Sequence, residues 1–413
     1  MFVKAPDRRS GNRVLPLVAN EIYITIFDFL EPPESPADME PGESKECKAT
    51  FSNLALVCRF FCAECLPRVF RSMEFSGRRH RKEAPSYSKF CRGLVAGDGP
   101  ASYLGTHVRE CTITQWMQAR EKGKWVFANF LKLYVKSIPY LIHLKTLRLH
   151  STPLDLNFIV ALSSLEKLTS LSLVDCEFLS MTKNYPTIFT PLTLTQFELL
   201  HNRDGDDDYD KESALVANLS DLVSSKSLRS LRTNSHAFLD RFLNQDISFG
   251  IETLAFTLFA SQAPKLQDFL ERTPSISKIQ IENMEFGVRS PSPLLDLSPS
   301  ALPILKELEC PTPYLAEWLV PGRPLHSIII RDPIMGGNFA APQRALSYLK
   351  CSTVTTTTTL RVHGRVYMIP SFHQAFPRLE TLILDFCDYP HTTEVRSLYP
   401  KLLVVFFLTG NCS

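Results

Sequence analysis

No stretch of this 413-residue chain is apolar for long enough to span a bilayer. The longest run near the C terminus, LLVVFFL at 402–408, falls far short of the roughly 20 residues a spanning helix needs. The N-terminal MFVKAPDRRSGNRVLP has no apolar core of signal-peptide length, so secretion is not expected. Excess charge of one sign is also missing: the net charge is +2, which argues against a nucleic-acid binder driven by bulk electrostatics. The eleven cysteines are odd in number and show no small-domain disulfide framework. Without a leader they are expected to be reduced thiols in cytosol or nucleus, where the sequons at Asn218 and Asn411 carry no meaning.

Catalytic signatures are absent as well. There is no HExxH, no GxSxG and no kinase set, and the ten histidines show no ligand-like spacing. GLVAGDGP at 93–100 holds a lone Gly-x-Gly with no Lys-Ser/Thr after it, so no phosphate loop is indicated. DGDDDYD at 204–210 fails as a calcium loop, because Tyr209 stands where Gly is needed and Leu215 where a bidentate Glu is needed. It reads as a solvated loop, as does the basic GRRHRK at 77–82. No enzymatic activity, cofactor or metal is expected of this chain.

What is present is a repeat. LxxLxL recurs as LKTLRL (144–149), LTSLSL (168–173), LTQFEL (194–199), LRSLRT (228–233), IETLAF (251–256) and ISKIQI (276–281). It continues as LKELEC (305–310), LHSIII (325–330), TTTLRV (357–362), LETLIL (379–384) and LLVVFF (402–407), with VRECTI (108–113) as an earlier copy. The starts from 144 to 402 are 20–34 residues apart with a mean near 26, the period of leucine-rich repeats. Between copies lie segments of helical spacing at 127–141, 213–225, 236–245 and 264–273. Strand then helix, repeated, is an α/β solenoid in which each unit buries its apolar face on its neighbours. Three residues beyond the last apolar position, Cys176, Asn202 and Cys387 are placed to bond turn backbone that otherwise lacks partners.

A different pattern precedes the repeat. VLPLVANEIYITIFDFL at 14–30 has the spacing of an amphipathic helix, with Ile22, Ile26, Phe27 and Leu30 apolar. Residues 31–49, with four prolines and six acids, read as a disordered acidic insert. A second helix is expected from Asn53 to about Leu66, capped by Thr50 or Ser52 and stopped by Pro67. Cys58, Cys62 and Cys65 fall on one helical face amid Phe60 and Phe61, where thiols act as small apolar filler rather than zinc ligands with Cys47.

Leu15-Pro16, Ile26-Phe27-x-x-Leu30, Leu54-x-x-Val57-Cys58-Arg59-Phe60 and Pro67 with Phe70 give residues 13–75 a resemblance to an F-box. The remainder resembles, by architecture, the fungal F-box proteins that carry C-terminal leucine-rich repeats. The insert of about 19 residues departs from the short loop of that family. The resemblance implies a short all-α head (13–75) followed by an irregular repeat solenoid (76–413), a horseshoe with its strands on the concave face. It implies the substrate receptor of an SCF-type ubiquitin ligase, with the head docked on a Skp-type adaptor and through it on a cullin/RING ligase. The implied docking residues are Leu15, Pro16, Ile22, Ile26, Phe27, Leu30, Leu54, Val57, Cys58, Phe61 and Pro67. A head this small cannot bury such residues alone, so a partner or the repeats must cover them. The alternative is an interaction scaffold that works without a cullin.

Substrate would meet the outward positions of the strands, which alternate with the buried ones. The candidates are Arg148, His150, Arg232, Lys278, Arg331, Arg361 and His363, with arginine favoured at binding hot spots. Val404, Phe406 and Leu408 of the last copy are expected to point outward as an apolar patch. Neither nucleic acid nor membrane is an expected partner.

Overall fold

The computed structural model describes residues 9–10, 13–14, 18–31, 43–77, 87–117, 125–178, 192–201, 219–220, 223, 226–245, 250–285, 297–298, 300–310, 323–331, 356–363, 378–387 and 403–409. The chain divides into two compact units, Met1–Phe189 and Thr190–Ser413. The helical head therefore shares a unit with the first repeat strands.

The head holds α1 (Asn20–Leu30), α2 (Glu43–Ala55) and α3 (Arg59–Arg71). This corrects the sequence reading of one helix over Asn53–Leu66. Residues expected to lie in the acidic insert, from Glu43 on, are helical, and the break falls at Leu56–Cys58. Thr50 and Ser52 are not caps: their hydroxyls bond back to the Glu46 and Lys48 carbonyls inside α2. The cap of α3 is Cys58, whose sulfur accepts from the Phe61 N–H at 3.4 Å. Pro67 lies inside α3 and does not stop it. Its missing N–H costs one bond of the helix. Packing of Cys65 and Val69 on the head core, and of Phe70 on Phe90 with centroids 5.5 Å apart, carries the helix past it.

That core is aromatic. Phe27, Phe51, Phe60 and Cys65 are buried, with Tyr23, Leu30, Leu54 and Phe61 packed around them. Phe27 meets Phe61 edge-on at 5.3 Å and Phe51 at 6.4 Å, the arrangement the ring quadrupoles favour.

Every LxxLxL copy becomes a parallel strand. In the first unit these are β1 (Ser72–Ser76), β2 (Glu110–Thr114), β3 (Thr146–His150) and β4 (Ser170–Val174), paired in that order. In the second they are β5 (Gln196–Leu200), β6 (Ser230–Thr233), β7 (Thr253–Phe259), β8 (Lys278–Glu285), β9 (Glu307–Cys310), β10 (Ser327–Arg331), β11 (Thr359–His363), β12 (Thr381–Cys387) and β13 (Leu403–Thr409). Each pairs with the next in parallel. Register puts repeat position on repeat position: Leu147 opposite Leu171, Leu231 opposite Leu254, Ile279 opposite Leu308. All six of these leucines and isoleucines are buried. A parallel sheet of consecutive strands, each one repeat long, is the leucine-rich-repeat solenoid pattern.

Among the described residues, helices follow β1, β2, β3, β6 and β7. In the first unit lie α4 (Ser88–Ala96), α5 (Gly99–Gly105), α6 (Trp125–Ser137) and α7 (Leu156–Ser163). In the second lie α8 (His236–Leu243) and α9 (Ala263–Arg272), matching the helical spacing read at 236–245 and 264–273. Asp155 caps α7 and Ser235 caps α8 by accepting from the N–H three residues on. The segment read as helical at 213–225 and the calcium-like 204–210 lie largely or wholly outside the described residues, as does the basic run at 78–82.

The last copy is framed one residue earlier than LLVVFF suggests. Val404 pairs with Leu382 and Phe406 with Leu384, so these positions continue the row of buried Leu382. The side chains of Val404, Phe406 and Leu408, expected to form an outward patch, lie outside the described residues.

Turns after the strands repeat as well. Gln115, Ser151 and Asp175, each just beyond its strand, have φ of 63°, 47° and 51°. The next residue sends a side chain back to the preceding repeat. Trp116 Nε1 donates to the Phe75 carbonyl at 2.9 Å, Thr152 Oγ1 to Ile113 at 3.2 Å, and Cys176 Sγ to Leu149 at 3.6 Å. Cys176 does what its spacing predicted. Trp116 and Thr152 do the same from the equivalent position, with chemistry the sequence reading had not assigned. Asn202 lies outside the described residues, and Cys387 is the end of a strand.

Candidate interaction surfaces

Helix α1 has two apolar faces. Tyr23, Phe27 and Leu30 turn into the head core, while Ile22, Ile26 and Phe29, at i, i+4 and i+7, form a stripe. The stripe is exposed, Phe29 at 86%. Leu56 and Val57 in the turn between α2 and α3 are also bare, at 85% and 64%. A monomeric protein seldom leaves so many large apolar side chains in water on one small element.

The implied docking residues thus separate. Ile22, Ile26 and Val57 present themselves to solvent, and Phe29 and Leu56 join them unforeseen. Phe27 is 2% exposed and belongs to the core. Leu30, Leu54, Cys58 and Phe61 are half-buried on that core, and Pro67 is half-buried within α3. Leu15 and Pro16 lie outside the described residues. Counting helical spacing alone could have found Phe29; Leu56 needed knowledge of the helix break.

The head is held in one arrangement by charge. Arg68 on α3 meets Asp28 at 2.6 Å and Glu31 at 2.8 Å, both at the end of α1, and its guanidinium lies 5.8 Å from the Phe27 ring centre. With its side chain 16% exposed, Arg68 is shielded from the screening that weakens ordinary surface pairs.

The solvent face of the sheet carries the other candidates. Arg148 lies 3.4 Å from Glu110 on the neighbouring strand, and His150 Nε2 lies 3.6 Å from Asp175. In the second unit Lys278 faces Glu307 at 2.8 Å in direct register. Arg232 meets Glu198 at 2.9 Å and Glu282 at 2.6 Å. Burial acts to lower the Arg232 pKa, but the hydrogen bond and charge of Glu282, with those of Glu198, outweigh it and raise the value. Arg361 sits half-buried on β11 with interactions of its own. Arg331 and His363 occupy the ends of β10 and β11, and their side chains lie outside the described residues.

Among the described residues no group of three or more His, Cys, Asp and Glu could hold a metal, and no helix is long and apolar enough to cross a membrane.

No protein-family model matches the chain, and no curated protein matches it. Among solved structures it is similar to an internalin (inlF) from Listeria monocytogenes, at 15% identity and a TM-score of 0.33, over 67% of this chain and 77% of that one.

Proposed function

We propose that the chain is a non-catalytic recognition subunit whose helical head docks on another protein and whose repeat sheet carries a second protein partner. The finer reading is an F-box/leucine-rich-repeat substrate receptor, its head seated on a Skp-type adaptor and through it on a cullin/RING ligase. The observation that supports this reading is the stripe of Ile22, Ile26 and Phe29 with Leu56 and Val57, bare on a head that already has a complete aromatic core. Those side chains add nothing to the fold of the head, and an apolar helix face set in a partner's groove is how they would leave water. The repeats would then hold substrate near a ubiquitin-loaded enzyme, so the chain contributes proximity and no chemistry.

The test is capture of a recombinant Skp-type adaptor by the full chain. Ile26→Asp with Phe29→Asp should abolish capture and leave the thermal melt of the chain unchanged. Capture that survives the double substitution removes the docking assignment.

A further inference from the structure

Three consecutive repeats place a cation at one register position, the residue immediately before the strand: Arg71 before β1, Arg109 before β2 and Lys145 before β3. Backbone bonds fix the row. The Arg109 N–H donates to the Arg71 carbonyl and the Lys145 N–H to the Arg109 carbonyl, both at 2.8 Å. Neighbouring parallel strands are about 4.8 Å apart, so the three side chains leave the sheet edge side by side over about 10 Å. They line one open groove of about 370 Å³, together with Arg68 and His107.

Two carboxylates also line the groove, and both are already engaged. Glu31 is taken by Arg68 and Arg71, and Glu110 by Arg148. The Arg109 guanidinium meets the neutral carbonyls of Thr106, at 2.6 Å, and Val108, at 3.3 Å. The Lys145 ammonium has no partner among the described residues. Two positive charges are thus left uncompensated next to each other. His107 adds a buried Nε2 with no hydrogen-bond partner in the groove wall. Burial first, then the charges of Arg109 and His143, lower the His107 pKa, so the imidazole adds no charge to the groove wall at neutral pH.

We propose that this groove is a binding site for a phosphoryl dianion, held by Arg109 and Lys145 with Arg71 flanking. Two adjacent positive charges match a dianion in number. The planar guanidinium offers paired N–H groups that fit phosphate oxygens, and the lysine supplies a point charge beside it. The site lies at the strand-start edge of the sheet and does not depend on what the head docks on. The phosphoryl group could belong to a small phosphate compound or to a phosphorylated residue of a polypeptide.

The experiment is calorimetric titration of the full chain at 50 mM salt with inorganic pyrophosphate and with the capped tripeptide acetyl-Ala-phosphoSer-Ala-amide. The unphosphorylated tripeptide is the control. Exposed Lys145→Gln is expected to weaken binding of the preferred probe at least tenfold, and Lys145→Gln with Arg109→Gln to abolish it. Raising salt to 200 mM should weaken the wild type as well. The control peptide should not bind. Tighter binding of the phosphopeptide than of pyrophosphate identifies a polypeptide source, and the reverse order a small compound. Absence of binding of either phosphorylated probe overturns the proposal, as does binding that Lys145→Gln leaves unchanged in a chain with wild-type melting. Ile26→Asp with Phe29→Asp, which tests docking of the head, should leave the titrations as in the wild type.

Discussion

Arg232 on β6 bonds through Nε to Glu282 on β8, at 2.6 Å, two strands away. The strand between them presents Ala255 in the same register row, the smallest side chain of that row, and it is 4% exposed. Glu282 is the extra residue of a bulge: Ile281 pairs with Phe256 and Asn283 with Thr257, leaving Glu282 without an opposite number. A small residue and a bulge thus let one arginine staple three strands, with Glu198 completing the set on β5.

Arg232→Ala should therefore destabilise the second unit beyond the usual worth of a surface pair. It leaves the Glu198 and Glu282 carboxylates without their shared cation, and Glu282 is only 17% exposed. Discounting for the half-exposed guanidinium, the cost is about 1–2 kcal/mol, read as a lowered urea midpoint. Ala255→Leu should reproduce part of the loss by obstructing the path of the arginine.

The same geometry revises where affinity for a partner resides. Arginines on the solvent face looked like free hot spots in the sequence, yet Arg148, Arg232 and Lys278 spend their charge on neighbouring strands. Alternation predicted their direction correctly: residues 146–150 run half-buried, buried, half-buried, buried, exposed. Pairing across strands depends on which repeat abuts which, and a single sequence does not carry that.

On the head, the two faces of α1 should respond oppositely to substitution. Phe27→Ala opens a cavity in the aromatic core and should cost about 3–5 kcal/mol. Phe29→Ala, at a position 86% exposed, should change stability by less than about 0.5 kcal/mol. Equal losses at the two positions, in denaturant melts followed by ellipticity, would mean that the stripe is packed in solution.

The repeats were legible because LxxLxL ties three buried positions to one strand, and all twelve named copies proved to be strands. The head was less so. Leu56-Val57-Cys58 gives no ordinary cap signal, since a thiol does the capping and two apolar residues fill the turn. Pro67 reads as a stop where tertiary packing overrides it. The last copy pairs one residue out of the frame read from LLVVFF, because that stretch is apolar at every position and its period cannot select a frame.

The backbone-bonding ladder gives a graded expectation. Thr152→Val keeps shape and removes the hydroxyl that serves the Ile113 and His150 carbonyls, so it should cost about 1–2 kcal/mol. Cys176→Ala removes a weaker sulfur donor from Leu149 and Val174 and should cost less from that bond alone, with a small cavity term added. Thermal melts of the two variants decide the order.

Thiol chemistry separates the buried cysteines from the accessible ones. Burial pushes the Cys91 thiol up to about 11, against a smaller lowering by the Ser137 hydroxyl, and pushes Cys176 up to about 12. Cys111 moves in the same direction for the same reason. Native chain treated with iodoacetamide at pH 8, digested and read by mass spectrometry, should carry label on Cys47 and Cys62 while Cys91, Cys111 and Cys176 stay unmodified. The same shifts set an alkaline limit. Above the ordinary thiol value of 9.0 the unfolded chain releases protons that the folded chain keeps. The unfolded state then binds fewer protons, so stability falls as pH rises from about 9 toward 11. Cys91→Ala should flatten that fall, and an unchanged slope would place the alkaline weakness elsewhere.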